Sequence, residues 1–228
     1  MALILNIETS TKICSIAIGE NGKTLDFKDI NEENFSHAEK LNLLIINLLR
    51  ENNLKLSDLN AIAISQGPGS YTGLRIGVSA AKGLCFAFDK PLISIDTLTS
   101  LSYSISFSSG YIVPMLDARR MEVYSAVFNH NHENIREIKA EIIDENSFSE
   151  YLDANKVFFV GDGAQKCKEI ITHKNAVFVD DKFPSAKEMA KLSYNKHKKN
   201  DIENVAYFEP FYLKDFVVIP QKKKKPIY

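Results

Sequence analysis

The sequence predicts an α/β protein made of two similar units, each a mixed sheet flanked by helices. Three observations carry this expectation. The order of strand-like and helix-like segments, βββ-α-β-α-β-α, runs twice along the 228 residues. Strand and helix segments alternate, as they do when helices cover a sheet and connect its parallel strands. Hydrophobic residues make up 45% and charged residues 25%, which suffices for a buried core without staples and argues against disorder.

Each element has a local reason. Residues 2–8 and 13–20 are apolar runs joined by the polar turn Thr9-Ser10-Thr11-Lys12. A weaker strand, 23–30, follows Asn21-Gly22, a pair that favours a tight hairpin. Ser36-His37-Ala38-Glu39 has the form of a capping box and opens a helix to Arg50. Residues 60–65 read as a buried strand and Gly73 to Phe88 as a second helix. A strand at 92–95 and a helix from Thr97 to about Ile105 complete the first unit. The second is expected to repeat it, with strands at 111–116, 121–128 and 135–143, then a helix, strand 157–160, helix 164–172, strand 176–179 and helix 185–199. The Ser-rich stretch 102–110 divides the chain into 1–108 and 109–228. Residues 205–228 belong to the second unit or fold back on the first.

Composition removes several classes of function. Lys and Arg number 28 against 29 Asp and Glu, a net charge of −1. A nucleic-acid binder working by bulk charge is excluded. Cys14, Cys85 and Cys167 are far apart and form no CxxC pair, so a disulfide framework or structural zinc site is not expected and a reducing cytoplasm fits. No stretch is long and apolar enough for a transmembrane span, and the start meets Glu8 too early for a signal peptide. Lys222-Lys223-Lys224-Lys225 reads as a solvated basic tail, with RNA phosphate contact as the alternative.

The two helices of the first unit carry more apolar surface than one sheet can cover. Seven of the nine residues from Leu41 to Leu49 are apolar. Leu41, Leu44, Ile45 and Leu48 make one stripe, and Leu43, Ile46 and Leu49 are left over. From Leu74 to Phe88 only Arg75, Ser79 and Lys82 are polar. Gly73, Gly77 and Ala81 lie on one edge and admit a close backbone. The surplus is buried either between the two units or against another subunit.

The local chemistry is sparse. Gly67-Pro68-Gly69-Ser70-Tyr71-Thr72-Gly73-Leu74-Arg75 joins a strand to a helix and reads either as an anion cradle or as a tight turn. It lacks the Gly-Lys-Ser/Thr of a Walker loop. Gly161-Asp162-Gly163 is a second strand-to-helix turn that could approach an adenosine or phosphate. Glu8 and Asp117 occupy equivalent strand ends and could face each other as a metal-holding pair; Asp117 with Arg119 and Arg120 reads more simply as a salt-bridged corner. The five histidines form no HExxH, and no Gly-x-Ser-x-Gly elbow is present.

On Ile7-Glu8-Thr9-Ser10, Ser36-His37-Ala38-Glu39, the Gly67–Gly77 block, Ala81-Lys82-Gly83-Leu84 and Asp117-Ala118-Arg119-Arg120-Met121-Glu122-Val123-Tyr124, the chain resembles the TsaB (YeaZ) family. Gly161-Asp162-Gly163, Pro184-Ser185-Ala186 and Pro210-Phe211-Tyr212-Leu213-Lys214 extend the resemblance more loosely. It implies the actin-like ATPase (ASKHA) fold, two RNase H-like domains. It implies a cytoplasmic, non-catalytic subunit required by the paralogue TsaD. TsaD transfers threonylcarbamoyl from threonylcarbamoyl-AMP to N6 of adenosine 37 in tRNAs that read codons beginning with A. TsaE, an ATPase, joins the complex. ATP and a metal serve the wider assembly, and no cofactor is held tightly by this subunit.

In TsaD the strand and loop after the second helix read Lys-Pro-Leu-Ile-Gly-Val-Asn-His-Leu-Glu-Gly-His, and both histidines bind the catalytic metal. The matching positions here are Thr97 and Leu101, neither a replacement for imidazole. The resemblance places the partner interface on the two helices, at His37, Leu41, Leu44, Ile45, Leu48, Leu74, Gly77, Val78, Ala81 and Leu84. Gly67, Pro68, Gly69, Ser70, Thr72, Gly73 and Arg75 are its motif loop. The chain alone could use the same helices as a homodimer. The rival reading is an ATP-dependent small-molecule kinase of the same fold.

Overall fold

The computed structural model describes residues 1–31 and 37–214, with the side chain of His37 not among them. The capping role of Ser36, the side chain of His37 and the tail Lys222–Lys225 therefore lie outside the described residues.

Two five-stranded sheets share one strand order. The first holds β1 (Leu3–Glu8), β2 (Cys14–Glu20), β3 (Lys23–Ile30), β4 (Ala61–Gly67) and β5 (Leu92–Asp96), ordered β3-β2-β1-β4-β5. The second holds β6 (Tyr111–Asp117), β7 (Glu122–Asn129), β8 (Asn134–Ile142), β9 (Val157–Val160) and β10 (Ala176–Val179), ordered β8-β7-β6-β9-β10. In each, an antiparallel meander of three strands continues into two parallel strands. The doubled element order is thus a doubled topology. Asn21 and Gly22 turn the β2–β3 hairpin with φ of 51° and 85°, the left-handed values such a turn requires.

β1 is buried along its whole length. Its side chains alternate, as a strand's must. Leu3, Leu5 and Ile7 face α1 (His37–Glu51) and α2 (Tyr71–Phe88), while Ile4 faces the opposite layer. Ser70 caps α2 by accepting from the Gly73 N–H at 3.2 Å.

The helices that end the two halves change places. α3 (Thr97–Ser102) closes the first half yet lies on the second sheet, where Leu98 and Leu101 pack among Ile112, Leu116, Phe128 and Val160. In the second half, the 3-10 turn Ala186–Met189 and α5 (Ala190–Lys198) lie on the first sheet, where Ala186 and Met189 pack against Ile4, Ala17, Ala63 and Ile93. Residues 203–212 also lie on the first sheet and its helices. The Glu203 N–H donates to the Leu92 carbonyl at 2.8 Å and the Phe211 N–H to the Gln66 carbonyl at 2.7 Å. Lys82 holds the carbonyls of Ala206 and Phe208 at 3.1 and 2.9 Å.

One expected helix is absent. Residues 164–172 form only the 3-10 turn Gln165–Cys167. Ile170, Ile171 and Thr172 are consecutive β-branched residues, which resist helix continuation. The remaining helix of this half, α4, is short, Ser149–Ala154.

Candidate functional site

α1 and α2 lie side by side on the first sheet and present an outer face. Most of the residues expected at the interface lie on the inner side of these helices. Leu41, Ile45, Leu48, Leu74, Gly77, Val78 and Ala81 are buried inside this chain, facing the sheet. Leu44 and Leu84 are half-buried and pack on the same core. The physical reason is that the most regular apolar stripe is the one a sheet claims first, at about 1.5–3 kcal/mol per large side chain. The surplus faces out. Leu43 is 61% exposed, Ile46 47% and Phe86 88%. Between the helices runs a groove of about 660 Å³ lined by Ala38, Leu41, Thr72, Ile76 and Ala80. Leu43 and Ile46 are two of the three apolar positions left over on α1 once the stripe is assigned, whereas the third, Leu49, is buried in the core.

The Gly67–Arg75 loop packs closely on the β1–β2 turn of its own chain. The Ser70 N–H donates to the Ser10 carbonyl at 2.6 Å, and the Thr9 hydroxyl donates to the Gly73 carbonyl at 2.9 Å. A Cβ at Gly69, Gly73 or Gly77 would collide with the Ser10 carbonyl, the Thr9 carbonyl or the Thr9 hydroxyl. These glycines let α2 dock backbone to backbone on the β1–β2 turn. The approach that Gly73 and Gly77 permit is therefore internal, and close packing accounts for these glycines. Pro68 is buried, Thr72 exposed, and Arg75 donates to the Tyr71 hydroxyl at 2.8 Å. Gly67, at φ +114°, lets the returning segment pass, since a Cβ there would meet the Phe211 carbonyl.

A cleft of about 960 Å³ separates the lobes, with Ser10, Thr11 and Gly69 on one wall and Asp117, Arg119 and Asp162 on the other. Its carboxylates do not converge as a cation site. Glu8 is fully buried; one oxygen accepts from the Ser10 N–H at 2.6 Å and the Ser65 hydroxyl at 2.9 Å, while the other has no partner among the described residues. Burial pushes its carboxyl above the ordinary range. Asp117 pairs with the Lys166 ammonium and accepts from the Arg119 N–H at 2.9 Å; among the described residues it forms no ion pair with the guanidinium of Arg119 or Arg120, the pairing that the corner reading expected. Lys166 also donates to the carbonyls of Arg120 and Glu122 at 2.8 and 2.6 Å. Asp162 accepts from the Asp117 N–H at 3.1 Å, and burial raises its carboxyl as well. Gly161 and Gly163 stand against the β6 backbone at Met115 and Leu116, so packing accounts for both. Among the described residues, no three His, Cys, Asp or Glu side chains are grouped to hold a metal.

Thr97 and Leu101 are both fully buried on α3, and Leu101 sits in the apolar cluster beneath the second sheet. Beside them, Asp96 caps α3 by accepting from the Thr99 N–H at 2.7 Å, and burial pushes its carboxyl up to about 6. The folded chain therefore keeps this proton where the unfolded chain, with a value of 3.8, has lost it. Raising the pH from about 4 through 6 should cost up to about 3 kcal/mol of stability at this group. Asn also caps helices, so Asp96→Asn should flatten that slope in denaturant melts across the window while keeping α3. An unchanged slope would refute the assignment.

A profile for the family "TsaD: tRNA N6-adenosine threonylcarbamoyltransferase" matches residues 32–220. The tRNA threonylcarbamoyladenosine biosynthesis protein TsaB of Escherichia coli is 28% identical over 225 residues, covering 94% of this chain and 95% of that protein. The tRNA N6-adenosine threonylcarbamoyltransferase of Staphylococcus haemolyticus is 33% identical over 129 residues, but only 50% of this chain and 38% of that enzyme align. The solved structure of YeaZ from Pseudomonas aeruginosa superposes with a TM-score of 0.80 at 25% identity, covering 93% of this chain and 100% of that one. Full-length likeness to the TsaB proteins and partial likeness to the transferase point the same way: the chain belongs to the tRNA N6-adenosine threonylcarbamoyltransferase family, as a member of its TsaB/YeaZ branch.

Proposed function

We propose that this chain is the non-catalytic subunit that a TsaD-type transferase requires to move a threonylcarbamoyl group onto N6 of adenosine 37 in tRNA. The observation that carries the reading is the outer face of α1 and α2. Leu43 and Ile46 on α1 and Phe86 on α2 stand in solvent, on the two helices that flank the groove. Large exposed apolar patches on soluble proteins mark partner surfaces. The partner is a helix pair of like character on TsaD, and the two pairs together form a four-helix contact. A second copy of this chain would compete for the same face. Thr97 and Leu101 support the non-catalytic role, since a threonine hydroxyl and a leucine at 0% exposure cannot take over metal ligation by imidazole.

The subunit acts by docking. Its rigid helical face stabilises the arrangement of the partner in which the metal site is assembled, and TsaE and ATP serve that assembly. The test is reconstitution. TsaD, TsaE, the adenylate-forming enzyme, ATP, threonine, bicarbonate and unmodified tRNA are incubated with and without this chain. Threonylcarbamoyladenosine is then read by mass spectrometry of digested tRNA. Product is expected only with the chain present. Product formed equally without it would overturn the proposal. The kinase alternative would then be tested by ATP titration of the isolated chain.

A further inference from the structure

We propose that the outer surface of α5 and the turn before it is an RNA-backbone contact face, distinct from the α1–α2 docking face. From Lys182 to Lys199 the chain carries six lysines and one acidic residue, Glu188, although its net charge is −1. Lys187 pairs with Glu188 and Lys196 with Asp201. Lys182, Lys191, Lys198 and Lys199 form no ion pair among the described residues. Such concentration of one sign on one element raises the local potential well above the bulk value.

Aromatic rings are interleaved with these charges. Lys187 lies over the Phe27 ring at 5.0 Å, Lys191 over Tyr103 at 5.7 Å and Lys198 over Tyr194 at 4.8 Å. Exposed Lys12, from the β1–β2 turn at the cleft, lies over Phe183 at 5.1 Å and carries the strip to the cleft mouth. These ring contacts hold the ammonium groups in place on the surface while leaving their charge for a polyanion. The cations from Lys182 to Lys199 are all lysine, with no arginine fork to read a base edge. The face therefore holds phosphates without reading sequence. It also stays free in the assembly, because α5 covers the side of the first sheet opposite α1 and α2. A tRNA can thus lie across this subunit while the partner occupies the other side. The inference deepens the proposed function but does not require TsaD for its test.

The experiment uses the full chain alone and a short fluorescein-labelled RNA stem-loop, followed by anisotropy over a series of salt concentrations. Binding is expected in the micromolar range or weaker, as for sequence-independent contacts. Lys191→Gln/Lys198→Gln/Lys199→Gln should weaken it about tenfold and lower the salt slope by about 2. The corresponding triple Lys→Arg variant should retain both, which separates charge from folding. Replacing Lys222–Lys225 with Gln tests the tail as the source of binding. The proposal fails if the triple Gln variant binds as the wild type does, or if the tail substitutions alone remove binding. It also fails if phosphatidylserine vesicles are bound and the RNA is not. Failure to bind TsaD would overturn the proposed function and leave this result standing.

Discussion

Ile46→Glu or Phe86→Glu is expected to abolish association with the TsaD-type partner while leaving the chain folded. Ile46 is about half in solvent and Phe86 almost wholly so, and a glutamate there costs the isolated chain little. In a docked apolar interface the same carboxylate is desolvated without a cation. The penalty is several kcal/mol, so affinity should fall at least a hundredfold. Light-scattering mass with and without the partner reads the association, and threonylcarbamoyladenosine formation reads its consequence. Leu44→Glu is a poor substitute, because Leu44 also packs on the core and its loss would confuse docking with unfolding. If both exposed-face variants still bind with wild-type affinity, the outer face of α1 and α2 is not the interface.

Gly73→Ala should destabilise the fold by about 3 kcal/mol, whereas Gly83→Ala on the same helix should stabilise it by roughly 0.5–1 kcal/mol. A Cβ at Gly73 is driven into the Thr9 carbonyl, and neither backbone has freedom to retreat: α2 is anchored at Ser70 on Ser10, and β1 is buried along its length. A Cβ at Gly83 meets nothing within 4 Å, so only the helical entropy gain remains. One substitution with opposite signs at two sites, measured by urea melts, isolates the close approach from helix propensity. Equal effects would show that the Thr9 contact does not restrain α2.

These results mark where the sequence is readable. The doubled order of elements corresponds to two sheets of one topology because turns and apolar periods are local. The hairpin at Asn21-Gly22, the strand at Ala61 and the helix ending at Phe88 all follow from neighbours in the chain. Helix faces are less legible. With seven of nine residues apolar, periodicity shows that α1 has surplus surface but not which side meets the sheet. The most regular stripe, Leu41, Ile45 and Leu48, is the one that meets the sheet. The glycine block invites a ligand on inspection, yet its true neighbour, Thr9, is more than sixty residues away, and no local pattern records that approach. The pairing of Asp117 with Lys166 is hidden for the same reason.

The exchange of the last helices has a consequence for how this molecule can be taken apart. α3 completes a core that the second half cannot close alone, and Ala186–Lys198 does the same for the first. Each half is therefore a template with its lid on the other. A nick in the stretch around residues 103–110 should leave two fragments that remain associated, and neither should be soluble when expressed without its mate. The chain reads as two repeats but melts as one object, and any hinge between the lobes must turn on α3 and α5 without pulling either from its seat.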